Sequence, residues 1–328
     1  MTQAAMQDTS EETPVERLGQ ICVKEMIQVN AIILKRLESE VPMIPELAQY
    51  LIAAGGKRIR PLLTLACAYL CNDNTDNPKK LAAAVEFIHT ATLLHDDVID
   101  GSKQRRGKTT ANSVFGNQAT VLVGDFLFAR AFELMVETGS INALNSLARA
   151  SSIITEGEVL QLSMIGETDL SQNKYFKIIE AKTAALFATA CETPALLNNI
   201  DSTAFKTYGY NLGMAFQIVD DIMDYTSPKM GKDKGDDFRE GKITLPVIIA
   251  LEQANSHDKQ EIISFLGNPV PQYMDRLLAL LHKYNVFEQS LTIAADYSER
   301  AGTVLRPYSG EVADCLIDLP QSILNRVS

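Results

Sequence analysis

Two aspartate triplets with the same spacing carry the strongest chemical signal in the sequence. The triplets are Asp96, Asp97 and Asp100, and Asp220, Asp221 and Asp224. In each, the first and last carboxylates are one helical turn apart and share a face, where they repel unless a cation separates them. Either triplet alone is equally consistent with a solvated helix end. Because the spacing recurs after a second apolar run, we predict facing triplets that hold several divalent ions, and Mg²⁺ suits such oxygen ligands.

Basic residues near both triplets supply charges that would hold an anion. They are Lys57, Arg58 and Arg60 in "GGKRIRP", Arg105 and Arg106 after the first triplet, Lys182 in "EAKTAAL", and Lys232, Lys234 and Lys242 after the second triplet. A helix start with adjacent cations binds anions. A lysine within an apolar helix more often extends to solvent, but beside a metal site it suits phosphate. The sequence therefore predicts a metal–diphosphate site.

Helical periodicity places these residues on an all-α framework. Apolar residues recur at helical intervals along nearly the whole chain, and no glycine-rich strand–turn–helix fingerprint is present. After an opening helix capped by Thr13, the predicted helices lie near 45–54, 60–71, 79–100, 119–138, 142–165, 172–192, 202–226, 243–255, 272–284, 286–305 and 309–326. The breaks are too short for interdomain linkers. We predict a flexible tail at residues 1–12 and one helical domain at residues 13–328.

Composition limits the remaining classes of function. The 328 residues are 46% hydrophobic and carry a formal net charge of −11, which disfavours nucleic acid as a partner. The five cysteines are scattered without zinc spacing and are typical of free thiols in a reducing cytosol. No basic apolar leader and no membrane-length apolar run is visible, so we expect a cytoplasmic protein without stable membrane insertion.

A set of motifs resembles the trans-type isoprenyl diphosphate synthases, and more narrowly the octaprenyl and decaprenyl type that makes quinone side chains. From about Leu47 to Ala250 the motifs are "GGKRIRP", "DDVID…RRG", "GEVLQL", "KTA", "FQIVDDIMDY" and "GDDFREGKITLP". The resemblance implies a helical bundle with a central cavity, homodimers, and a Mg²⁺-dependent prenyltransferase. Such an enzyme ionises an allylic diphosphate, here farnesyl diphosphate, and adds isopentenyl diphosphate. Transient membrane contact is compatible with its apolar product.

The resemblance also implies a role for each matching residue. Asp96 and Asp100, with Asp97 beside them, resemble the ligands of two Mg²⁺ ions. Asp220 resembles the ligand of a third, with Asp221 and Asp224 supporting it, so the metal-binding set is Asp96, Asp100, Asp220 and Asp224. Arg105, Lys182 and Lys232 resemble the cations that hold the leaving diphosphate. Lys57, Arg60, His89 and Arg106 resemble the isopentenyl diphosphate pocket. Lys242 matches a lysine near the phosphates, and Thr183 and Gln217 match positions lining the allylic cation. Without the motif, His89 would be interpreted as a core histidine.

Small residues before the first triplet predict a long product. Thr92 and Ala91 lie four and five residues before Asp96, about 6–7.5 Å deeper along a helix. Short-chain members of the family carry blocking aromatic residues here, so we expect an open tunnel and a C40–C50 product. Phe128 and Phe132 are candidates for the tunnel floor, although ordinary core packing is the more common role of such residues.

Four alternatives remain at this stage. A class I terpene cyclase would have no use for "GGKRIRP" and Arg106, and a farnesyl or geranylgeranyl synthase is disfavoured by the small residues at the tunnel. A non-catalytic subunit of a heteromeric synthase would not need two complete triplets. A helical scaffold without a ligand leaves the paired motifs unexplained. The sequence departs from the family after Asp100, where Gly101, Ser102 and Lys103 replace acidic neighbours.

Overall fold

The fold was analysed in a computed structural model. The structure describes residues 12–53, 56, 58–105, 107–164, 171–226 and 235–327. The predicted tail therefore lies almost entirely outside the described residues, as do Lys57, Arg106, Lys232 and Lys234.

The described residues form seventeen α-helices and one two-stranded hairpin, which confirms the all-α prediction. The first ten helices are α1 (Pro14–Ile21), α2 (Val23–Arg36), α3 (Met43–Ala53), α4 (Ile59–Leu70), α5 (Asn77–Ile99), α6 (Ala111–Phe115), α7 (Asn117–Glu137), α8 (Ile141–Ser163), α9 (Gln172–Ile179) and α10 (Ala185–Leu197). The remaining helices are α11 (Thr203–Thr226), α12 (Asp236–Arg239), α13 (Leu245–Gln253), α14 (Ser256–Gly267), α15 (Met274–Lys283), α16 (Val286–Val304) and α17 (Glu311–Leu324). A π-helical turn, Glu180–Ala184, joins α9 to α10, and a 3₁₀ turn, Pro271–Tyr273, precedes α15. The hairpin pairs β1 (Gln104–Arg105) with β2 (Lys108–Thr109).

Helix α10 is at the centre of the bundle. Every residue from Leu186 to Ala195 is buried, which is typical of a helix enclosed on all sides. It packs against α4, α5, α8 and α11, while α5 also packs along α7 and α11 along α16. The two long helices that end in the aspartate triplets are thus fixed by the same core. No helix among the described residues is long and apolar enough to cross a bilayer.

Local sequence explains several helix ends. The Thr13 hydroxyl caps α1 by accepting a hydrogen bond from the backbone amide of Glu16, and the Glu16 carboxylate accepts one from the backbone amide of Thr13. This is the predicted capping box, which satisfies amide groups that a helix start leaves unpaired. After α5 the chain turns at Gly101, whose φ of +62° favours glycine. The hairpin that follows brings Arg105 back beside the end of α5.

Two predicted helices differ from the structure, and three of its helices, α6, α12 and α14, were not predicted. The opening helix divides at Cys22 into α1 and α2. The helix predicted near 172–192 is interrupted by the π-helical turn and continues to Leu197. Helix α14 was not predicted, because its sequence, SHDKQEIISFLG, is largely polar and lacks a clear apolar stripe. It nevertheless begins at a strong cap, since the Asn255 side chain accepts hydrogen bonds from the backbone of His257 and Asp258.

Candidate active site

The first aspartate triplet lies at the end of α5 on the wall of a large cavity. Asp96, Asp97 and Asp100 all line this cavity. Asp97 is buried, and its Oδ1 atom accepts a hydrogen bond at 2.8 Å from Nε of Arg105 and lies 2.8 Å from Nη2 of the same ion-paired guanidinium. Asp97 therefore fixes the guanidinium of Arg105, whereas Asp96 and Asp100 present carboxylates to the cavity.

The second triplet lies at the end of α11, and its members differ in their surroundings. Asp220 and Asp221 line the cavity. Asp221 is buried and accepts hydrogen bonds from the Tyr175 hydroxyl at 2.6 Å and the Gln217 amide at 2.7 Å. Asp224 is buried behind them and accepts a hydrogen bond at 3.2 Å from the backbone amide of Asp237. Asp237, whose role the motif alone did not predict, also lines the cavity.

Lys242 joins the first triplet to the loop before α13. Its ammonium lies 2.7 Å from Asp100 Oδ2 and 2.7 Å from Glu240 Oε2, so the loop before α13 meets the end of α5. Burial raises the pKa of Asp96 and, to about 7, that of Asp237, while the charge of Lys242 opposes both shifts. Members of both triplets line this one cavity, so the two triplets belong to one site.

The crowding of acids defines what the site can bind. Burial raises the pKa of Asp221 well above its usual value, and the charge of Asp237 adds to the effect. The charge of Asp100 likewise adds to the raised pKa of Asp96. Several buried carboxylates that disfavour their own ionisation are stabilised by divalent cations, and the hard oxygen donors fit Mg²⁺. The donor set thus fits the metal that the sequence predicts.

Lys182 and Thr183 contact the site from the π-helical turn. The Lys182 ammonium lies 2.7 Å from Glu158 Oε2 on α8. The Thr183 hydroxyl donates to Gln217 Oε1 at 2.8 Å, and Gln217 in turn donates to Asp221. The neighbouring side chains of Lys182 and Thr183 therefore contact two different helices that line the same cavity.

A second cationic region lies at the start of α4. Arg60 Nη1 is 3.1 Å from His89 Nε2, and the guanidinium stacks 4.4 Å above the Phe187 ring. Arg58 precedes the helix with a φ of +44°, and its Nε lies 3.9 Å from Glu86 Oε1. Each of these residues except Phe187 lines the cavity. The structure thus brings together the predicted Arg60 and His89 next to a helix N-terminus.

The cavity has a volume of about 1240 Å³ and has both charged and apolar lining residues. Its charged wall includes Asp96, Asp97, Asp100, Asp220 and Asp221 together with Arg105, Lys182 and Lys242. An apolar wall is formed by Ile33, Leu37, Phe87, Leu94, Leu127 and Ile154. A charged mouth above an apolar wall suits a molecule with a diphosphate head and a hydrocarbon tail.

The predicted tunnel residues are only partly placed as expected. Thr92 lines the cavity, but Ala91 is fully buried in the core and does not. A residue four positions before Asp96 lies on the same face of the helix, whereas a residue five positions before it lies about 140° away around the helix axis. Phe128 and Phe132 do not line the cavity: Phe128 stacks on His95, and Phe132 is 39% exposed. Neither residue therefore forms the floor of this cavity, because Phe128 packs against α5 away from it and Phe132 is exposed at the surface.

Comparison with known proteins adds the family. The sequence profile of the polyprenyl synthetase family matches residues 41–281. The chain belongs to this family. Its members are prenyltransferases, so the predicted enzyme class is confirmed.

Similar proteins agree with the polyprenyl synthetase assignment over most of the chain. Octaprenyl diphosphate synthase of Escherichia coli (strain K12) is 42% identical over 253 residues, covering 76% of this chain and 78% of that protein. The crystal structure of a polyprenyl synthase from Caulobacter crescentus CB15, complexed with calcium and isoprenyl diphosphate, has a TM-score of 0.92 at 46% identity and covers 97% of this chain and 99% of that one. A decaprenyl diphosphate synthase from Rhodobacter capsulatus also has a TM-score of 0.92, at 42% identity, with coverage of 96% and 100%. The resemblance to long-chain synthases is thus confirmed.

Several residues of this polyprenyl synthetase site were missed in the sequence. They are Glu158, Tyr175, Phe216, Asp237, Glu240 and Arg326, all of which line the cavity. Four of them gave a signal, since Glu158 lies in "GEVLQL", Phe216 lies in "FQIVDDIMDY" and both Asp237 and Glu240 lie in "GDDFREGKITLP". Arg326 stacks 5.6 Å from the Phe216 ring, which brings the end of the chain to the cavity. Nothing in the sequence near Arg326 indicates this contact.

Proposed function

We propose that the protein elongates farnesyl diphosphate with isopentenyl diphosphate units to an all-trans C40–C50 polyprenyl diphosphate, in the cytoplasm, for a quinone side chain. The observation that carries the proposal is the single cavity in which both aspartate groups, their cations and a long apolar wall meet. The relatives named for octaprenyl and decaprenyl products support the chain length. The small Thr92 on the wall disfavours a farnesyl or geranylgeranyl product.

The metal ions and the basic side chains both stabilise charge on the reacting diphosphate. We assign three Mg²⁺ ions to Asp96, Asp100 and Asp220, whereas Asp224, predicted as a fourth ligand, is buried, does not line the cavity and supports the site from behind. Bound Mg²⁺ supplies positive charge for the leaving diphosphate. Arg105, fixed by Asp97, and Lys182, fixed by Glu158, offer oriented N–H donors at the same place. Such preorganised charges stabilise a transition state without reorganisation. Lys232, outside the described residues, is assigned to the same diphosphate.

The remaining residues position the two substrates. Arg60 and His89, with Lys57 and Arg106 outside the described residues, hold isopentenyl diphosphate. Lys242 bridges the phosphates and the acid groups. Gln217, held by Asp221 and Thr183, directs its dipoles to the allylic carbon. Holding the two reactants in contact converts a bimolecular step into a unimolecular one.

An elongation assay tests the proposal. The pure protein is incubated with Mg²⁺, farnesyl diphosphate and labelled isopentenyl diphosphate, and the dephosphorylated products are sized. We expect C40–C50 products that disappear when EDTA removes the metal, because the carboxylates alone repel the diphosphate. Products that stop at C20 would instead identify a short-chain synthase. No metal-dependent incorporation of label would refute the prenyl-elongating function.

We further propose a homodimer that buries one outer face of α7 and α8. Leu122, Phe132, Val136, Ile141 and Val159 are exposed there, and a groove between the helices is lined by Phe132, Val159 and small residues. An apolar surface of this extent is typical of an interface. Leu122 is 67% exposed and Ile27 on α2 is 63% exposed, so a substitution at Ile27 is a matched control for one at Leu122.

Sedimentation of two variants tests the dimer. Leu122→Glu should dissociate the dimer, because it places a charge in the apolar interface, and Ile27→Glu should leave its mass unchanged. We expect the dissociation constant of the Leu122 variant to rise at least about 100-fold, the scale of a buried unpaired charge. A dimer that resists Leu122→Glu and dissociates with Ile27→Glu would place the interface on α2.

A further inference from the structure

The π-helical turn between α9 and α10 sets the directions of two neighbouring side chains. In an α-helix, successive side chains diverge by about 100°. Here Lys182 contacts α8 through Glu158, and Thr183 contacts α11 through Gln217. Short π-helical turns within helices occur frequently at functional sites. Both Lys182 and Thr183 therefore line the cavity from within this turn.

Close contacts fix this turn between two helices. A Cβ atom added to Gly157 on α8 would lie 2.5 Å from the Cβ of Ala181. A Cβ atom added to Gly213 on α11 would lie 2.7 Å from the Cα of Ala184. Neither distance is tolerated by real side chains, so only glycine permits α8 and α11 to pack this closely on the turn.

The close contact at Gly157 places opposite charges face to face. Glu158 follows Gly157 and Lys182 follows Ala181, and their charged atoms lie 2.7 Å apart. The two side chains are only 21% and 19% exposed, so the pair is shielded from solvent. The charge of Lys182 also acts on the nearby Asp96. Without Glu158, the strongest attraction on this ammonium would come from the metal-binding carboxylates.

We propose that Glu158 is a positioning residue, which holds the Lys182 ammonium ready for the allylic diphosphate and away from Asp96. The close packing of Gly157 on Ala181 places Glu158 for this role. The inference rests on the proposed function, because it assigns Lys182 to the leaving diphosphate. It adds a residue that neither binds the metal nor touches the reacting carbons.

Steady-state kinetics of Glu158 variants test the positioning role. Glu158→Ala should lower kcat about 10- to 100-fold, the usual cost of losing an orienting partner or of a small misplacement. It should raise the KM of farnesyl diphosphate about tenfold and leave the KM of isopentenyl diphosphate within twofold. Glu158→Gln, which keeps a hydrogen-bond acceptor for Lys182, should recover part of both losses. Glu192→Gln is the control, since Glu192 on α10 is also a buried glutamate and pairs with Lys206 on α11, away from the cavity.

A rescue experiment tests the packing beneath Glu158. Gly157→Ala should reproduce the selective loss, because its methyl group pushes α8 away from the turn. Ala181→Gly in the same chain removes the atom that clashes and should restore at least half of the lost rate. Gly19→Ala, with no atom within 4 Å of the added group, should change nothing. If Gly157→Ala simply unfolds the protein, the Glu158 variants still decide the question.

Three results would overturn the inference. The first is a Glu158→Ala variant with unchanged kcat and unchanged KM values. The second is a variant that only needs more Mg²⁺ for half-maximal rate, which would make Glu158 a metal ligand. The third is an equal rise of both KM values, which a general loosening of the fold explains. A failure of the proposed function would be recognised separately, because the wild-type protein itself would then not elongate farnesyl diphosphate.

Discussion

Replacement of Asp96 with asparagine should abolish nearly all elongation, with kcat falling about 1000-fold. Asp96 lies at the charged mouth beside Asp100, Arg105 and Lys182. Its loss removes a metal ligand where charge develops on the leaving group, and about 4 kcal/mol of transition-state stabilisation corresponds to three powers of ten. The measurement is the initial rate with farnesyl and isopentenyl diphosphates at saturating Mg²⁺.

The same substitution should not lower the stability of the metal-free protein. Burial raises the pKa of Asp96, so the folded state disfavours its charge, and a neutral amide avoids this cost. The melting temperature of Asp96→Asn should therefore equal or exceed that of the wild type. Asp125→Asn is the control, because Asp125 is an exposed acid on α7 and should keep its full rate. An Asp96→Asn variant with more than a tenth of the normal rate would remove Asp96 from the metal site.

Replacement of Thr92 with phenylalanine should shorten the product from C40–C50 to about C20, one condensation beyond the farnesyl primer. Thr92 lines the cavity one turn, about 6 Å, below Asp96. An aromatic ring there would fill the space into which the growing tail passes, while the charged mouth stays intact. The first condensation should therefore keep its rate within about threefold, since no diphosphate contact is lost. Product sizing with labelled isopentenyl diphosphate measures both effects.

Thr92→Val separates size from polarity. Valine has nearly the same shape but loses the hydrogen bond from the Thr92 hydroxyl to the His89 carbonyl. We expect this variant to make full-length products. Long chains from Thr92→Phe would show that the tail takes another route through the cavity.

Local patterns in the sequence were sufficient for the helices and for the acid triplets. Asp96 and Asp100 share a face because four residues make about one helical turn, and that holds before any tertiary contact is known. The long apolar runs before Asp96 and Asp220 likewise predicted α5 and α11 to within two residues at either end. These features depend on neighbours along the chain.

Features that depend on distant contacts could not be read in this way. Glu158 becomes important only because Gly157 packs on Ala181, and the π-helical turn there breaks the regular periodicity. Asp237 joins the site through its backbone contact with Asp224. Phe132 was wrongly predicted to line the tunnel, because the spacing of apolar residues defines a helix face but does not indicate the direction in which that face points.

The most direct test of the central claim is a crystal structure with Mn²⁺ and an unreactive thio analogue of farnesyl diphosphate. The claim is that both aspartate triplets hold metal around one diphosphate. We expect anomalous peaks about 2.0–2.2 Å from oxygens of Asp96 and Asp100 and from Asp220, with the analogue's diphosphate between them. Peaks at only one triplet, or a diphosphate bound away from both, would contradict the claim.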